Sequence, residues 1–139
     1  MSKKLIVPYV NEESNVFKKI KRPKLTLSIF SKTFRCWINI EDVLADTGAD
    51  ISVLPESLGI LLVGNYKKGK RYKISGLLPD NVTNMYIHQL SVRLGNRTFR
   101  THFGISNSND VPPTLGRISG LDKFDIRYNK GKKLIINFD

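Results

Sequence analysis

The chain has a single cysteine, Cys36, and only two histidines, His88 and His102, in 139 residues. One cysteine excludes an intramolecular disulfide and a cysteine metal cluster, and a small buried core residue is its expected role. Neither histidine has a second ligand at metal spacing, so each is expected on the surface or satisfied in the core, and no metal or cofactor is expected. No apolar run approaches the roughly 20 residues of a membrane span, so no membrane partner is expected. Leu5 to Val7 is too short for a signal-peptide core, which makes the cytoplasm the default location. No Ser/His/Asp set, phosphate-binding glycine loop or zinc pattern is present. Nothing has the length and periodicity of a long helix.

Acidic residues are also scarce: 12 against 23 Lys and Arg, a net charge of +11. That charge permits nucleic-acid binding. The basic residues are spread in pairs such as Lys18-Lys19 and Lys132-Lys133, which reads as a solvated surface. Aromatics are not interleaved with them as a base-stacking platform would require.

What is present is short and strand-like. Residues 1–22 are polar and charged, an N-terminal extension or edge segment free to move. The compact domain is expected over residues 23–139, one core in an all-β fold. Leu25, Leu27 and Ile29 alternate with Thr26 and Ser28, a period-two strand. Strands are also expected over Phe34–Ile40, Arg71–Ile74, Met85–Leu94, Phe99–Ile105 and Leu134–Phe138, with Trp37 in the core. Ile118–Phe124 can hold one short helix, weakened by Gly120.

An internal repeat runs through these strands. Residues 25–40 (LTLSIFSKTFRCWINI) align without gaps on residues 90–105 (LSVRLGNRTFRTHFGI). Each copy reads as strand, turn, strand, and each runs into a glycine-bearing loop. Thr-Phe-Arg recurs in the same register, which shared alternation alone does not explain. A pseudo-twofold within the chain follows.

The first of those loops is the chemical centre. Val43-Leu44-Ala45 leads into Asp46-Thr47-Gly48-Ala49, then Asp50 and a second apolar run to Leu54. A carboxylate at a break between strands can act as an acid or base. Thr47 can stiffen the loop, and Gly48 lets a substrate backbone come close. The second loop, Thr114-Leu115-Gly116, carries no carboxylate, so a partner for Asp46 is expected from a second chain.

Ala45 to Asp50 with Val53-Leu54 resembles the catalytic loop of the retropepsin-like, single-lobed aspartic proteases. Ile74-Ser75-Gly76 to Asn81 resembles that family's flap, although Pro79-Asp80-Asn81 is less glycine-rich. Thr114-Leu115-Gly116-Arg117 resembles its second conserved loop, with Thr114 in place of an apolar residue. Ile135-Ile136-Asn137-Phe138 resembles its dimer-forming strand. The resemblance covers residues 23–139. It implies a closed β-barrel with one short C-terminal helix and one catalytic loop per chain, working as a homodimer on polypeptide substrates. Asp46 of each subunit would form the dyad, and Thr47 would bond across the dimer axis. Two carboxyls about 3 Å apart cannot both ionise easily, so one is neutral and one charged around the attacking water. Thr47, Gly48 and Ala49 would support the loop, with Leu115, Gly116 and Arg117 supporting it from the second. Gly48, Asp50, Gly76, Leu77, Leu78, Pro112 and Pro113 would meet substrate. Asp50 and Arg117 match an acidic-basic pair tying the two loops together. An aspartic endopeptidase is the expected activity. A catalytically silent interaction module of the same fold, or a basic nucleic-acid-binding β protein, are the alternatives.

Overall fold

The computed structural model describes residues 3–78 and 81–138, with the backbone alone over 74–78 and 81–82. In chain order the elements are β1 (Lys4–Pro8), β2 (Val10–Ser14), β3 (Lys18–Arg22), β4 (Lys24–Ser31), β5 (Cys36–Ala45) and β6 (Ser52–Leu54). Then come α1 (Glu56–Val63), β7 (Lys70–Leu78), β8 (Asn81–Leu94), β9 (Arg97–Ser106), β10 (Thr114–Leu115), β11 (Asp125–Asn129) and β12 (Lys133–Asn137).

Among the described residues the strands make three sheets. The largest runs β4-β5-β10-β6-β9-β8-β7 and closes on itself where β4 also pairs with β8. The result is a six-stranded barrel with β7 added outside. Alternation drives it: Leu25, Leu27 and Ile29 point inward and are essentially inaccessible, as are Leu90, Val92 and Leu94 on β8. Phe103, Ile105, Leu54 and Leu115 complete the interior.

The barrel is symmetric in topology. Exchanging β4 with β8, β5 with β9 and β6 with β10 reverses the strand order and preserves each pairing. The parallel pair β5–β10 maps onto the parallel pair β9–β6. Ser28 and Arg93, equivalent in the sequence repeat, sit directly opposite each other where the barrel closes. The Thr-Phe-Arg identity is not part of this symmetry. Thr33-Phe34-Arg35 forms the turn between Ser31 and Cys36, whereas Thr98-Phe99-Arg100 lies in β9. The second hairpin turns two residues after Leu94, on Gly95 (φ 58°) and Asn96. The first needs four, because its backbone is held by α1: Lys32 N–H donates to Leu62 C=O (2.8 Å) and Ser31 Oγ to Leu61 C=O (2.8 Å).

The helix is not where the sequence suggested. Over Ile118–Phe124 there is a single 3-10 turn, Leu121–Lys123. Ser119 is left-handed (φ 59°) and Gly120 is non-helical, so no α-helix can propagate through them. The α-helix follows β6, the symmetry mate of the expected position. Pro55 starts it with fixed φ, and Gly64 (φ 71°) ends it, donating to Ile60 C=O. Its open N-terminus is satisfied by the loop after β9: Glu56 N–H donates to Ser108 C=O (3.2 Å) and Ser57 N–H to Asn109 Oδ1 (2.8 Å).

Residues 4–22, expected as an extension or edge segment, hold three strands, and β1 is an edge strand of its sheet. β2 and β3 form a hairpin, and Glu12 pairs there with Arg22 and with Lys24 of β4. The Lys24 hydrogen bond is the main reason the Glu12 carboxyl sits below its ordinary pKa. β1 pairs with β12, and β12 with β11, giving a sheet in the order β1-β12-β11. The strand expected to form a dimer is therefore already paired on both edges within its own chain. Two further expectations fail. Cys36 is exposed at the start of β5. Trp37 is on the outer face, edge-on to Phe30 (5.5 Å) and stacked by the Arg93 guanidinium (4.1 Å).

Candidate active site

Asp46 follows the last residue of β5 and is half-buried, with Thr47 and Gly48 exposed beside it. Its backbone N–H donates to Leu115 C=O (3.1 Å), continuing the β5–β10 ladder one step. The chain then turns on itself. Ala49 N–H donates to Asp46 C=O (3.3 Å), and Gly48 N–H to Asp46 Oδ1 (2.9 Å). That carboxylate bond fixes the side-chain torsion and is a local motif that Asp forms readily. A Cβ on Gly48 would stand 3.2 Å from the same oxygen.

The second loop is pressed against the first. Gly116 N–H donates to the buried Ser52 hydroxyl (3.0 Å), Arg117 N–H to Ala49 C=O (2.9 Å), and Ile118 N–H to Asp50 C=O (3.0 Å). The Arg117 guanidinium lies 3.7 Å from the Asp50 carboxylate and 3.2 Å from that of Asp122. Leu115 is fully buried between the loops. Asp46, Ala49, Asp50, Leu115, Gly116 and Arg117 are thus brought together. Ser52 and Asp122 join them without having been singled out in the sequence.

The barrel symmetry identifies what stands opposite Asp46. Leu115↔Ala45 in one parallel pair maps onto Leu54↔Ile105 in the other, which sets Asp46 against Ser106. Counted through the β4–β5 and β8–β9 hairpins from Ser28 and Arg93, the mate falls two residues earlier, at Gly104, and neither position is a carboxylate. Thr114-Leu115 is the mate of β6, rather than of the Asp46 loop as the repeat had suggested. Ser106 is inaccessible, and its hydroxyl accepts Ser108 N–H (3.0 Å). The second half of the barrel carries a capping serine where the first carries a carboxylate.

Among the described residues, cavities open on both sides of this loop. A cavity of about 570 Å³ is lined by Ile51, Tyr72 and Lys73 of β7, Ile87 of β8, and His102 of β9. A smaller one, about 180 Å³, shares Ile51 and His102 and reaches Asp50 and Ile118. These lining residues come from five distant stretches, which is why no local pattern marks them. His102 is exposed here, whereas His88 is satisfied by the Tyr66 carbonyl (2.6 Å). Gly76, Leu77 and Leu78 lie on the backbone of β7, in the hairpin above this cavity's β7 and β8 walls. Pro79 and Asp80 fall outside the described residues. Pro112 is exposed and lines a separate cavity with Leu44, Asp42, Glu12, Arg22 and Lys24. Pro113 receives Leu44 N–H on its carbonyl (2.9 Å). A further cavity lies on the other flank of the Asp46 loop, between Thr47 and Arg117 on one side and Phe124, Ile126 and Tyr128 on the other. The Tyr128 hydroxyl titrates above its ordinary value, first because of burial, then because of nearby Tyr9 and Asp46.

Among the described residues no three His, Cys, Asp or Glu side chains converge as metal ligands, and no helix is long and apolar enough to cross a membrane.

No protein-family model matches the chain, and no curated protein matches it in sequence. Solved structures do match. A retropepsin-like aspartic protease from Rickettsia conorii superposes with a TM-score of 0.64 at 18% identity, covering 97% of this chain and 90% of that one. EIAV protease in complex with an inhibitor matches at a TM-score of 0.44 and 24% identity, over 77% of this chain and 89% of that one. The fold is retropepsin-like.

Proposed function

We propose that this chain is an aspartic endopeptidase that works as a homodimer, with Asp46 of each copy forming the catalytic pair. The observation that carries the reading is the Asp46 loop itself. A half-buried carboxylate is oriented by Gly48 N–H, anchored to Leu115, and flanked by open cavities. The retropepsin-like fold and the aspartic-protease name of its structural neighbour support it. The absence of a carboxylate at the position symmetry-related to Asp46 supports a second chain as the source of the other carboxylate.

An extended peptide lies across the two loops as an added strand. One carboxylate takes a proton from water as it attacks the scissile carbonyl. The other, neutral, donates to the carbonyl oxygen. The resulting tetrahedral centre collapses as the amine leaves with a proton, and no covalent enzyme intermediate forms. The cavity of Ile51, Tyr72, Ile87 and His102 receives a substrate side chain, mainly apolar in character, with Lys73 and His102 at hand for a polar end.

The test is cleavage of an unstructured protein across pH 3 to 8, with and without pepstatin, by wild type and Asp46→Asn. The expected result is pepstatin-sensitive cleavage by wild type, lowered at least about a thousandfold in the variant. Equal cleavage by the two proteins would overturn the assignment.

A further inference from the structure

We propose that the second copy docks on the open edge of β11, in one register, centred on Ile126. The inference rests on the homodimeric reading above and names the surface that completes the site.

The sheet β1-β12-β11 has two outer edges. Which backbone groups face outward follows from hydrogen-bond alternation. Phe138 N–H donates to Lys3 C=O and Tyr9 N–H to Lys132 C=O, both 2.9 Å. With the β1–β12 register, this turns the even residues of β12 toward β1 and the odd ones toward β11. In β11, Asp125, Arg127 and Asn129 therefore bond inward, and Phe124, Ile126 and Tyr128 present their groups outward. On β1 the outward positions are Lys4, Ile6 and Pro8. Pro8 has no N–H to give, and proline and lysine are devices that keep an edge from pairing. The β11 edge has no such block.

A twofold-related copy pairs antiparallel with the same strand. Three registers keep the outward groups in phase around Ile126. Ile126 opposite Phe124 sets Asp125 against Asp125. Ile126 opposite Tyr128 sets Arg127 against Arg127. Ile126 opposite Ile126 sets Asp125 against Arg127 twice, and it alone pairs opposite charges. The remaining groups fit this register as well. Phe124 N–H is already given to Leu121 C=O (3.1 Å), and Tyr128 C=O already accepts Lys130 N–H (3.2 Å). What is left on the edge is Ile126 N–H and C=O, Tyr128 N–H and Phe124 C=O, which form four bonds across the axis.

The interface also lies at the right place. Phe124, Ile126 and Tyr128 share a groove of about 260 Å³ with Thr47, next to Asp46. Pairing at Ile126 sets the twofold axis beside this groove, brings the two Asp46 loops to the same axis, and continues the sheet to six strands. Tyr128, 37% exposed, is covered in the process.

The experiment is a charge-swap cycle read by sedimentation. Arg127→Asp makes both positions acidic, and Asp125→Arg makes both basic. Each variant alone should self-associate about tenfold or more weakly than wild type. Their equimolar mixture, and the double variant Asp125→Arg/Arg127→Asp, should dimerise like wild type. Single variants that dimerise normally, or a folded mixture and double variant that stay monomeric, would overturn the register. Circular dichroism identifies any variant that fails to fold, and the double variant then decides alone. Wild type that cleaves while monomeric would overturn the interface and the homodimeric half of the reading above, leaving only the peptidase assignment standing. A dimer that obeys the cycle but never cleaves would do the reverse.

Discussion

Gly116 has no room for a side chain. A Cβ there would come within 2.6 Å of the Ile51 carbonyl oxygen and 2.8 Å of that of Ala49, and both are backbone atoms that cannot rotate away. Gly116→Ala should lower unfolding free energy by about 2 kcal/mol, the range for an insertion into packed structure. It should lower cleavage further than stability requires, since the displaced stretch leads straight back to Asp46. Urea unfolding with a peptidase assay under conditions where the variant is folded checks this. A variant with wild-type values for both would show that the loops are not locked together there. At this scale much of the candidate site's local geometry was legible. Asp46, Gly48 and Gly116 stand out because each residue type does a job few others can: an oriented carboxylate, open backbone, a contact without Cβ. Cys36 and Trp37 were misread because small or aromatic says nothing of which sheet face a residue takes. Cys36 falls just after a turn, and Trp37 finds its partners in Phe30 and Arg93 on the outside.

Helix α1 shows what element-level patterns conceal. Its sequence, ESLGILLV, is apolar nearly throughout and contains a glycine, so neither helical periodicity nor propensity marks it. The helix is made by its surroundings. Gly59 lies so close to β9 that a Cβ would overlap the Ile105 side chain at 2.2 Å, and Leu62 is fully buried. The Tyr66 hydroxyl, beyond the helix end, donates to the Glu56 carboxylate at its start. Burial first, then this bond, raises the Tyr66 pKa above its ordinary value of 10.0. A raised phenol pKa means that the unfolded chain loses its proton first as pH rises. The stabilisation is complete below pH 10 and declines above it. Tyr66→Phe keeps the edge-on contact with Tyr86 (5.5 Å) but loses the bond. It should be less stable than wild type by about 1–2 kcal/mol at neutral pH. The gap should narrow progressively as pH rises above about 10, as the wild-type phenol's contribution fades. Urea denaturation of both proteins at pH 7, 10 and 11 measures it, and a gap that stays constant would mean that the Tyr66 phenol is not shifted upward in the folded chain.

At the scale of the whole molecule the barrel is two topologically related halves, of which one carries the Asp46 loop. Period-two alternation made the strands legible, most cleanly in β4, while the closed barrel came from the resemblance. β9 ends in four consecutive buried residues, a pattern alternation does not give. The repeat gave the symmetry but misplaced the mate of the Asp46 loop, because Thr-Phe-Arg occupies a turn in one copy and a strand in the other. The terminal sheet was the hardest to foresee. β11 is five residues with three polar ones, DIRYN, and β12 carries the apolar run that drew attention. The long-range pairing of β1 with β12 then closes both edges of the very strand expected to dimerise. On the homodimeric reading proposed above a single chain holds half a site, since Asp46 finds no carboxylate at its mate in the second half of the barrel. Activity should therefore follow dimer concentration rather than chain concentration. Below the dissociation constant, each twofold dilution should lower the initial rate about fourfold, and well above it about twofold. A substrate titration at fixed chain concentration separates this from weak substrate binding, because KM is unaffected by the monomer pool when substrate does not drive assembly. Rates strictly proportional to enzyme at every dilution, down to concentrations where sedimentation finds monomer, would place both catalytic groups in one chain. Asp46 would then need a partner that the barrel symmetry does not supply.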